Sequence, residues 1–403
     1  MSHCNFFLKR KHRFCKMTVK AGNQFCGEHM DSDVNNDAER VICPLDSKHT
    51  CYKKHLASHL KKCNARAVEP PPYIVHGVNS VCANAEGLAA EKKTQTLAEV
   101  SDDDLLLLIE KIKTVASAIP SVHKAVMSHP ALAEKLRMEE FGPSTRKHLI
   151  QNSSLIGHMD KLGLLRDRTC FVEFGAGRGQ LSYWLSKALC NTTDCMILLV
   201  DYASHRHKFE NKLKDEGYPV IRRVRADIAD LCISSMDIGN SEHIVGVAKH
   251  LCGAAGDMAL NCLISSADKE KLTGIVMSFC CHHRCNWPSY TGKNFVLAQG
   301  FSAEEFSLLC GVASWATCGL GRKVSAQFPA TSGGRYARME LSQKDREEIG
   351  QLCKLIFDYG RLQYLKENGF SVNLVSYIER DTSPECLCTL ATKTVELSVT
   401  QQS

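Results

Sequence analysis

Hydrophobic residues form a repeating pattern along the C-terminal half of the chain. Short runs of consecutive apolar residues, such as 196–200 and 274–279, alternate with longer stretches in which apolar residues recur at helical spacing. Such runs are typical of parallel strands buried on both faces, and the stretches between them of helices that cover the sheet. The pattern predicts an α/β fold with a Rossmann-like sheet of seven strands within residues 143–400. The expected strands lie near 171–174, 196–200, 219–227, 243–248, 274–279, 371–378 and 386–391.

A helical pattern precedes this region. Ser101 and the three aspartates after it predict a capped helix start, and apolar residues recur at helical spacing from Leu105 to about residue 118. With a second helical stretch at 131–140, residues 101–142 are predicted to be a helical segment. The pattern is too short for a coiled coil, which favours packing on the domain that follows. Residues 67–100, which include Glu-Pro-Pro-Pro-Tyr at 69–73, are predicted to be a linker.

The first 66 residues instead concentrate cysteine and histidine, with six of each. One set lies within residues 1–32 and has the spacing Cys-x10-Cys-x10-Cys-x2-His: Cys4, Cys15, Cys26 and His29. Three thiolates and one imidazole suit a closed tetrahedral zinc site. His3 and His12 are alternative ligands in the same stretch.

A second set lies within residues 40–66 and has the spacing Cys-x5-His-x9-His-x3-Cys: Cys43, His49, His59 and Cys63. His59 and Cys63 are four residues apart in a stretch, 52–62, that is predicted to be helical, which would place both on one face. Cys51 and His55 share that spacing and are alternative ligands. The remaining alternative for both sets is reduced cysteines with incidental histidines. A polar segment this short needs a metal to fold, which favours two small zinc-binding modules.

Composition and charge narrow the class of protein. The 403 residues are 44% hydrophobic and include 21 cysteines. The first residues do not show the positively charged stretch followed by an apolar stretch that is typical of a secretory signal peptide. We therefore expect a reducing, intracellular compartment, nuclear or cytoplasmic, and no membrane partner, because the apolar runs are too short to span a bilayer. Residues 1–66 carry 13 Lys and Arg against 6 Asp and Glu, whereas the rest carry 37 against 38. A basic arm beside metal-ligand spacings indicates a nucleic acid partner.

A glycine-rich turn follows the first expected strand. Gly175, Gly177 and Gly179 alternate with other residues, and Glu173 precedes them by two positions. Glycines at a strand-to-helix turn let a nucleotide-like ligand lie against the main chain at a helix N-terminus. The spacing Gly-x-Gly-x-Gly differs from the Gly-x-Gly-x-x-Gly of dinucleotide sites and favours S-adenosyl-L-methionine over NAD. An ordinary turn without a ligand is the alternative.

Two further acidic residues are predicted to bind this cofactor. Asp201 ends the second strand, where its carboxylate could accept hydrogen bonds from both ribose hydroxyls. Asp227 follows the third strand and is predicted to face the adenine. Either residue could instead do no more than end its strand.

Polar clusters follow the fourth and fifth strands. Lys249 and His250 end the fourth, and the Cys-Cys-His-His-Arg-Cys sequence at 280–285 follows the fifth. The carboxyl edge of such a sheet is where ligands bind. Lys249, His250, His282 and His283 are therefore candidates for catalysis of methyl transfer, with histidine as the base for a hydroxyl acceptor. The competing interpretation is a third zinc site built from residues in 280–285 and Cys252.

These features together closely resemble the eukaryotic tRNA 2′-O-methyltransferase family that modifies nucleotide 4 of the acceptor stem. The resemblance spans nearly the whole chain. Its most specific parts are Lys-His-Leu-Cys-Gly at 249–253 and the cluster at 280–285, with support from Asp-Tyr-Gly-Arg at 358–361.

The resemblance implies S-adenosyl-L-methionine as methyl donor, a ribose 2′-hydroxyl as acceptor, tRNA as substrate, and Zn²⁺ in modules that help to bind RNA. It identifies neither a protein partner nor the base. A zinc-finger RNA-binding or spliceosomal protein with an inactive methyltransferase fold is the alternative of a different class. A base or protein methyltransferase is a third possibility. The stretch 319–338, rich in Gly, Ser and basic residues, is predicted to be a mobile loop, either one that contacts RNA or ordinary flexible surface.

Overall fold

The chain divides into two compact units, Met1–Pro71 and Pro72–Ser403. The computed structural model describes residues 2–8, 13–19, 21–26, 29, 40–63, 65–66, 69–81, 95–205, 208–213, 219–316 and 332–394. None of the helices in these ranges is long and apolar enough to cross a membrane. None of the cysteines in these ranges forms a disulfide.

The first unit contains little regular structure. Strands β1 (Phe7–Leu8) and β2 (Arg13–Phe14) pair antiparallel, as do β3 (Arg40–Cys43) and β4 (Asp46–Tyr52). The helix expected over 52–62 is shorter: a 3-10 turn occupies Lys53–His55, and α1 covers only Leu56–Leu60. The reason is that Tyr52 pairs with Arg40 in the hairpin and so belongs to the strand.

The second unit is built on one sheet of eight strands. Along the chain these are β5 (His123–Lys124), β6 (Thr169–Phe174), β7 (Met196–Asp201), β8 (Val220–Arg225), β9 (His243–Cys252), β10 (Leu272–Cys280), β11 (Phe370–Ser376) and β12 (Leu387–Lys393). Their order across the sheet is β5-β11-β12-β10-β9-β6-β7-β8. Strand β12 is antiparallel to both neighbours and the other pairs are parallel. The predicted α/β sheet is thus confirmed, with one additional strand at its edge.

That additional strand is β5, only two residues long and paired with Val375 and Ser376 of β11. Two residues carry no hydrophobic periodicity, so sequence patterns could not reveal it.

Helices flank the sheet. They are α2 (Asp102–Ala118), α3 (Ala133–Arg137), α4 (Pro143–Lys161), α5 (Gln180–Ala188), α6 (Ala254–Ile264), α7 (Lys293–Ala298), α8 (Glu305–Ala313), α9 (Ser332–Arg338) and α10 (Gln343–Glu367). Alternate residues of one strand enter different hydrophobic cores: Val172 lies in one and Phe171 in another. Burial on both faces explains the uninterrupted apolar runs in the sequence.

Helix α2, in the segment before the sheet, packs on other helices of the second unit. The Ser101 hydroxyl accepts a hydrogen bond from the Asp104 amide at 3.1 Å and begins α2 as predicted. Leu105 and Ile112 of α2 are fully buried in a core that α8 and α10 share. Of the two arrangements weighed for this helix, packing on the following domain is the one observed.

Part of the predicted linker, residues 72–81, belongs to the second unit and is hydrogen-bonded within it. The Val75 amide donates to the Asp230 carbonyl at 2.8 Å, and the Asn79 side chain donates to the carbonyls of Ile228 and Leu231. Asn79 is 2% exposed. Residues 72–81 are therefore not a free spacer, because their backbone groups find partners on the turns that follow β8.

The predicted loop at 319–338 lies largely outside the described residues, which resume at 332. Its last seven residues form α9, and Arg335 of this helix donates to Asp102 at 2.7 Å and to the Val100 carbonyl at 2.5 Å. This arginine joins α9 to the start of α2.

Candidate active site and metal centres

The glycine turn connects β6 to α5 at the carboxyl edge of the sheet. Gly175, Gly177 and Gly179 all have positive φ angles, 64°, 54° and 76°, which residues with a Cβ rarely adopt. A Cβ at Gly179 would meet Leu199, Glu210 and Arg223 within about 3 Å, whereas one at Gly177 would meet nothing within 4 Å. The turn is packed on one side and open at Gly177, where a ligand can approach the backbone.

Glu173 lies buried beneath this turn. Its carboxylate accepts hydrogen bonds from the amide of Ser182, at 3.0 Å, and from the Ser182 hydroxyl. Burial raises the pKa of Glu173 to about 7, although Ser182 and the charge of Lys249 oppose the shift. Burial likewise lowers the pKa of Lys249 to about 8, opposed by the charge of Glu173. The two groups therefore influence each other across the ends of β6 and β9.

Asp201 lies at the end of β7, beside the turn. One carboxylate oxygen accepts from the Gly177 amide at 2.7 Å, and the other from the Ala203 amide at 2.7 Å and from His205 at 3.1 Å. A carboxylate has about four acceptor sites. Two backbone amides occupy two of these sites and fix the orientation of Asp201. A ligand hydroxyl can take the place of His205 at a third site.

Asp227 is exposed after β8 and accepts from the Ala229 amide at 3.0 Å, which caps a 3-10 turn. An ion pair that sequence patterns did not reveal supports the glycine turn nearby: Arg223 donates to Glu210 at 2.6 Å and to the Gly177 carbonyl at 2.9 Å. Sequence patterns also did not single out Tyr202, which directly follows Asp201 and is 72% exposed.

A group of three donor atoms lies where β9 and β10 end. The Sγ atoms of Cys252 and Cys280 are 3.1 Å apart, and Nε2 of His250 is 3.2 Å from Sγ of Cys280. Hydrogen bonds from Cys280 and then His250 lower the pKa of Cys252 to about 4, while the pKa of Cys280 is raised.

His282, by contrast, lies in a buried network of charged groups. Its Nε2 is 2.7 Å from Asp358, which also accepts from Arg361 at 2.9 Å. Arg361 reaches Asp257 through two hydrogen bonds, of 3.1 and 2.8 Å. Burial opposes ionisation of Asp358, but His282 and Arg361 outweigh it and lower the pKa of the carboxyl. His282 is 1% exposed, so it is placed to support the strand end from beneath rather than to meet a large substrate.

His283 and His148 are half-buried near the same edge. Burial and then the positive charges of Arg284 and Lys354 lower the pKa of His283. Burial and then the charge of Lys249 lower the pKa of His148, whose Nδ1 is 3.1 Å from Gln151. Both rings are therefore neutral at pH 7, and His148 is a residue that sequence reasoning did not single out as a site residue.

The first unit gathers both predicted zinc sets. Each set of four donor atoms lies within 4.8 Å of one another: Cys4, Cys15, Cys26 and His29 in one, and Cys43, His49, His59 and Cys63 in the other. In the second set, Sγ of Cys43 is 3.7 Å from Sγ of Cys63 and 3.2 Å from Nε2 of His59. Neither His3 nor Cys51 belongs to a group, and His12 lies outside the described residues.

The donor sets and the glycine turn fit the groups expected of them. Ligands at 2.0 to 2.3 Å from a tetrahedral Zn²⁺ lie about 3.3 to 3.8 Å apart, close to the separations at Cys43. The open position at Gly177, next to a carboxylate fixed by backbone amides, fits a nucleoside cofactor. The residues present thus fit S-adenosyl-L-methionine at the turn and Zn²⁺ in the two modules.

Comparison with known proteins identifies the family. The model of Methyltransferase TRM13 matches residues 150–392, the CCCH zinc finger in TRM13 protein matches 2–30, and the U11-48K-like CHHC zinc finger matches 40–64. The chain belongs to the TRM13 methyltransferase family. The resemblance seen in the sequence is thereby confirmed.

Relatives in the TRM13 family align over nearly the whole chain. The tRNA:m(4)X modification enzyme TRM13 homolog of Mus musculus is 34% identical over 93% of this chain and 91% of its own. The tRNA:m(4)X modification enzyme TRM13 of Eremothecium gossypii is 34% identical over 96% of this chain and 94% of its own. This TRM13 family member is therefore an S-adenosylmethionine-dependent methyltransferase, rather than a binding protein with an inactive fold.

Proposed function

We propose that this enzyme is a tRNA 2′-O-ribose methyltransferase that acts on nucleotide 4 of the acceptor stem. The observation that carries the proposal is similarity along more than nine-tenths of the chain to relatives named tRNA:m(4)X modification enzyme. The basic N-terminal unit and the open glycine turn support it.

In this proposal the cofactor lies against the glycine turn. Gly177 leaves space for it at the start of α5, Gly175 and Gly179 supply the other positive φ angles of the turn, and Asp201 accepts a ribose hydroxyl in place of His205. Tyr202 offers an exposed ring face for the adenine, with Asp227 at its edge. Glu173 holds the turn through Ser182. S-adenosyl-L-methionine supplies an electrophilic methyl group on a sulfonium sulfur.

The chain's own task at the acceptor is to orient the 2′-hydroxyl and to accept its proton. Among the four candidates, His283 suits the base because it is half-buried and its lowered pKa keeps a lone pair free at pH 7. Lys249 suits contact with the developing oxyanion or a phosphate. His250 directs its Nε2 at Cys280, and His282 is held by Asp358, so we assign these two to positioning of the strand ends.

The zinc modules are proposed to bind the RNA. Cys4, Cys15, Cys26 and His29 would hold one ion, and Cys43, His49, His59 and Cys63 the other. The surplus of seven positive charges in residues 1–66 suits contacts to phosphates, which makes binding salt-dependent.

The test uses tRNA transcripts that carry a single 2′-deoxy substitution. The full-length enzyme and labelled S-adenosyl-L-methionine are incubated with the unmodified transcript, with one that is 2′-deoxy at nucleotide 4, and with one that is 2′-deoxy at nucleotide 5. We expect transfer to the first and third and none to the second, and nuclease digestion with mass spectrometry should give a 2′-O-methylated nucleotide 4. Methyl on a base, or equal transfer to all three, contradicts the proposal.

Isothermal titration with S-adenosyl-L-methionine separates a wrong substrate from an inactive protein. Binding without transfer to any tRNA would remove the substrate assignment alone. His283→Ala should lower the transfer rate by about 10²-fold or more without changing cofactor affinity. An unchanged rate would remove the base assignment.

A further inference from the structure

Three potential metal ligands meet at the end of two adjacent parallel strands. Cys252 and Cys280 are the last residues of β9 and β10 and are register partners in the ladder. His250 precedes Cys252 by two positions, and the strand period of two places both side chains on one face of the sheet. Nothing in the family models for the two zinc fingers, which end by residue 64, covers this group.

The donor atoms lie as close together as those of the predicted zinc set at Cys43, or closer. Sγ to Sγ is 3.1 Å and Sγ to Nε2 is 3.2 Å, against 3.7 and 3.2 Å for the corresponding pairs at Cys43. All three donor atoms lie within 4.8 Å of one another. Two sulfur atoms and one imidazole nitrogen thus lie close enough together to bind the same metal ion.

The backbone around this group is held tightly. The Gly253 amide donates to the Cys280 carbonyl at 2.8 Å, and a Cβ at Gly253, where φ is 56°, would meet Arg284 at 2.7 Å. Cys281 itself adopts a left-handed conformation with φ of 51°, which is uncommon for a residue with a side chain. Such a conformation at the end of β10 turns the chain away directly after Cys280, and it is typical of functional sites.

We propose that His250, Cys252 and Cys280 bind a third Zn²⁺ whose fourth position is open. Two thiolates and one imidazole are ligands that Zn²⁺ prefers, and sites with three protein ligands leave one position for water or a substrate oxygen. His250 is exposed, so the ion is accessible from solvent. The site adjoins the cofactor turn: a Cβ at Gly175 would lie 3.0 Å from Leu251 and 3.9 Å from the His250 carbonyl.

This site also accounts for the histidine. A disulfide between Cys252 and Cys280 would need no imidazole, whereas His250 directs a ring nitrogen at the sulfur pair. As a ligand, Nε2 of His250 has no lone pair for a proton, which leaves the base role to another residue. The metal site stands without the proposed RNA substrate, because its test measures the metal itself.

The test counts zinc in the full-length protein, purified under reducing conditions, by elemental mass spectrometry. We expect three Zn²⁺ per chain, and two in the double variant Cys252→Ser, Cys280→Ser. The matched control is Cys190→Ser, an exposed cysteine outside every group, which should keep three. Two ions in the wild type and in the double variant would overturn the proposal, as would a Cys252 to Cys280 disulfide in a non-reducing peptide map.

A milder variant guards against misfolding of the double variant. His250→Ala removes an exposed ligand, and we expect the third ion to be lost to a chromophoric chelator at a concentration at least about tenfold lower than in the wild type. Unchanged retention would overturn the assignment of His250. Cofactor titration confirms that the variant is folded.

Co²⁺ substitution tests the geometry. The third site should add thiolate-to-cobalt absorption and the intense visible bands of four-coordinate Co²⁺, and azide should shift these bands by occupying the open position. Cys281→Ser should leave them in place. Their loss in Cys281→Ser would make Cys281 the fourth ligand and would overturn the open position.

Discussion

The zinc modules and the edge of the sheet both assemble cysteine and histidine, but they are supported differently. Each module takes its four ligands from at most 26 consecutive residues, and the buried hydrophobic residues of the first are the cysteines themselves, with Leu8, Val19 and Phe25 packed partly against them. At the sheet edge, ligands from β9 and β10 rest on large buried cores. The modules therefore depend on metal to fold, whereas the sheet depends on packing and keeps its edge without metal.

Removal of the metal should give the largest difference between the modules and the sheet. A strong chelator should abolish protection from hydrogen exchange throughout residues 2–66, because metal binding of about 10 to 16 kcal/mol sustains such small folds. Peptides from β6, β7 and β9 should exchange as before, as followed by mass spectrometry. Cys51→Ser, outside both ligand groups, should keep protection at β3 and β4 in the absence of chelator. Chelator-resistant protection in the modules would contradict their dependence on metal.

The second unit should respond instead to loss of its buried ion network. Arg361→Leu removes the buried cation that Asp257 and Asp358 share and leaves Asp358 with His282 alone as an ion partner, which should lower the free energy of unfolding by about 3 to 5 kcal/mol. Urea unfolding followed by tryptophan fluorescence reports this unit alone, because Trp184, Trp287 and Trp315 all lie in it. A loss below 1 kcal/mol would show that the packed core does not need the network.

Stability of the cofactor crevice should depend on pH through Glu173. Its folded pKa, about 7, lies above the unfolded value, so the native state holds the proton more firmly. The resulting stabilisation is complete below pH 4.5 and is lost as pH rises through 7, by on the order of 3 kcal/mol.

Glu173→Gln should remove this dependence, so that the variant gains on the wild type between pH 5 and pH 8. Tryptophan-detected urea unfolding at both pH values measures the difference. Parallel changes in the two proteins would show that Glu173 does not titrate in this window. Lys249 stays protonated through most of this range, because its pKa is about 8.

The smallest effect on stability should come from a surface ion pair that takes part neither in metal binding nor in core packing. Lys113 contacts Glu110 at 2.8 Å, and the two side chains are 47% and 69% exposed. Lys113→Ala should change the free energy of unfolding by about 0.5 kcal/mol or less in the same assay. A larger loss would mean that surface charge contributes to the sheet unit on the scale of its buried network.

Local features of the fold could be predicted well from the sequence. The capped start of α2 at Ser101, the buried strands and the glycine turn all appear in the structure, since each follows from residue types within one or two turns of chain. The edge strand β5 and the binding of residues 72–81 to the turns after β8 could not be predicted, because their hydrogen bonds join segments more than 100 residues apart.

The candidate site divides in the same way. The four candidate catalytic residues were correctly expected at strand ends, but the sequence could not separate them. In the structure, His250 lies beside Cys252 and Cys280, whereas His282 contacts Asp358, which is 76 residues away in the chain. His283 and Cys285 adjoin these residues in the chain but do not join the group of donor atoms, whereas the side chain of Cys281 contacts both Cys252 and Cys280.

The sequence by itself determined the family, and it predicted the two sets of four candidate ligands and the position of the candidate cofactor turn, because these depend on spacing along a short stretch of chain. Only the tertiary structure decided which residues of the two strand-end clusters meet. The register of β9 against β10 places Cys252 beside Cys280, and the packing of α10 brings Arg361 to Asp257. Neither contact can be derived from local spacing, because each depends on the order in which distant strands and helices pack into one core.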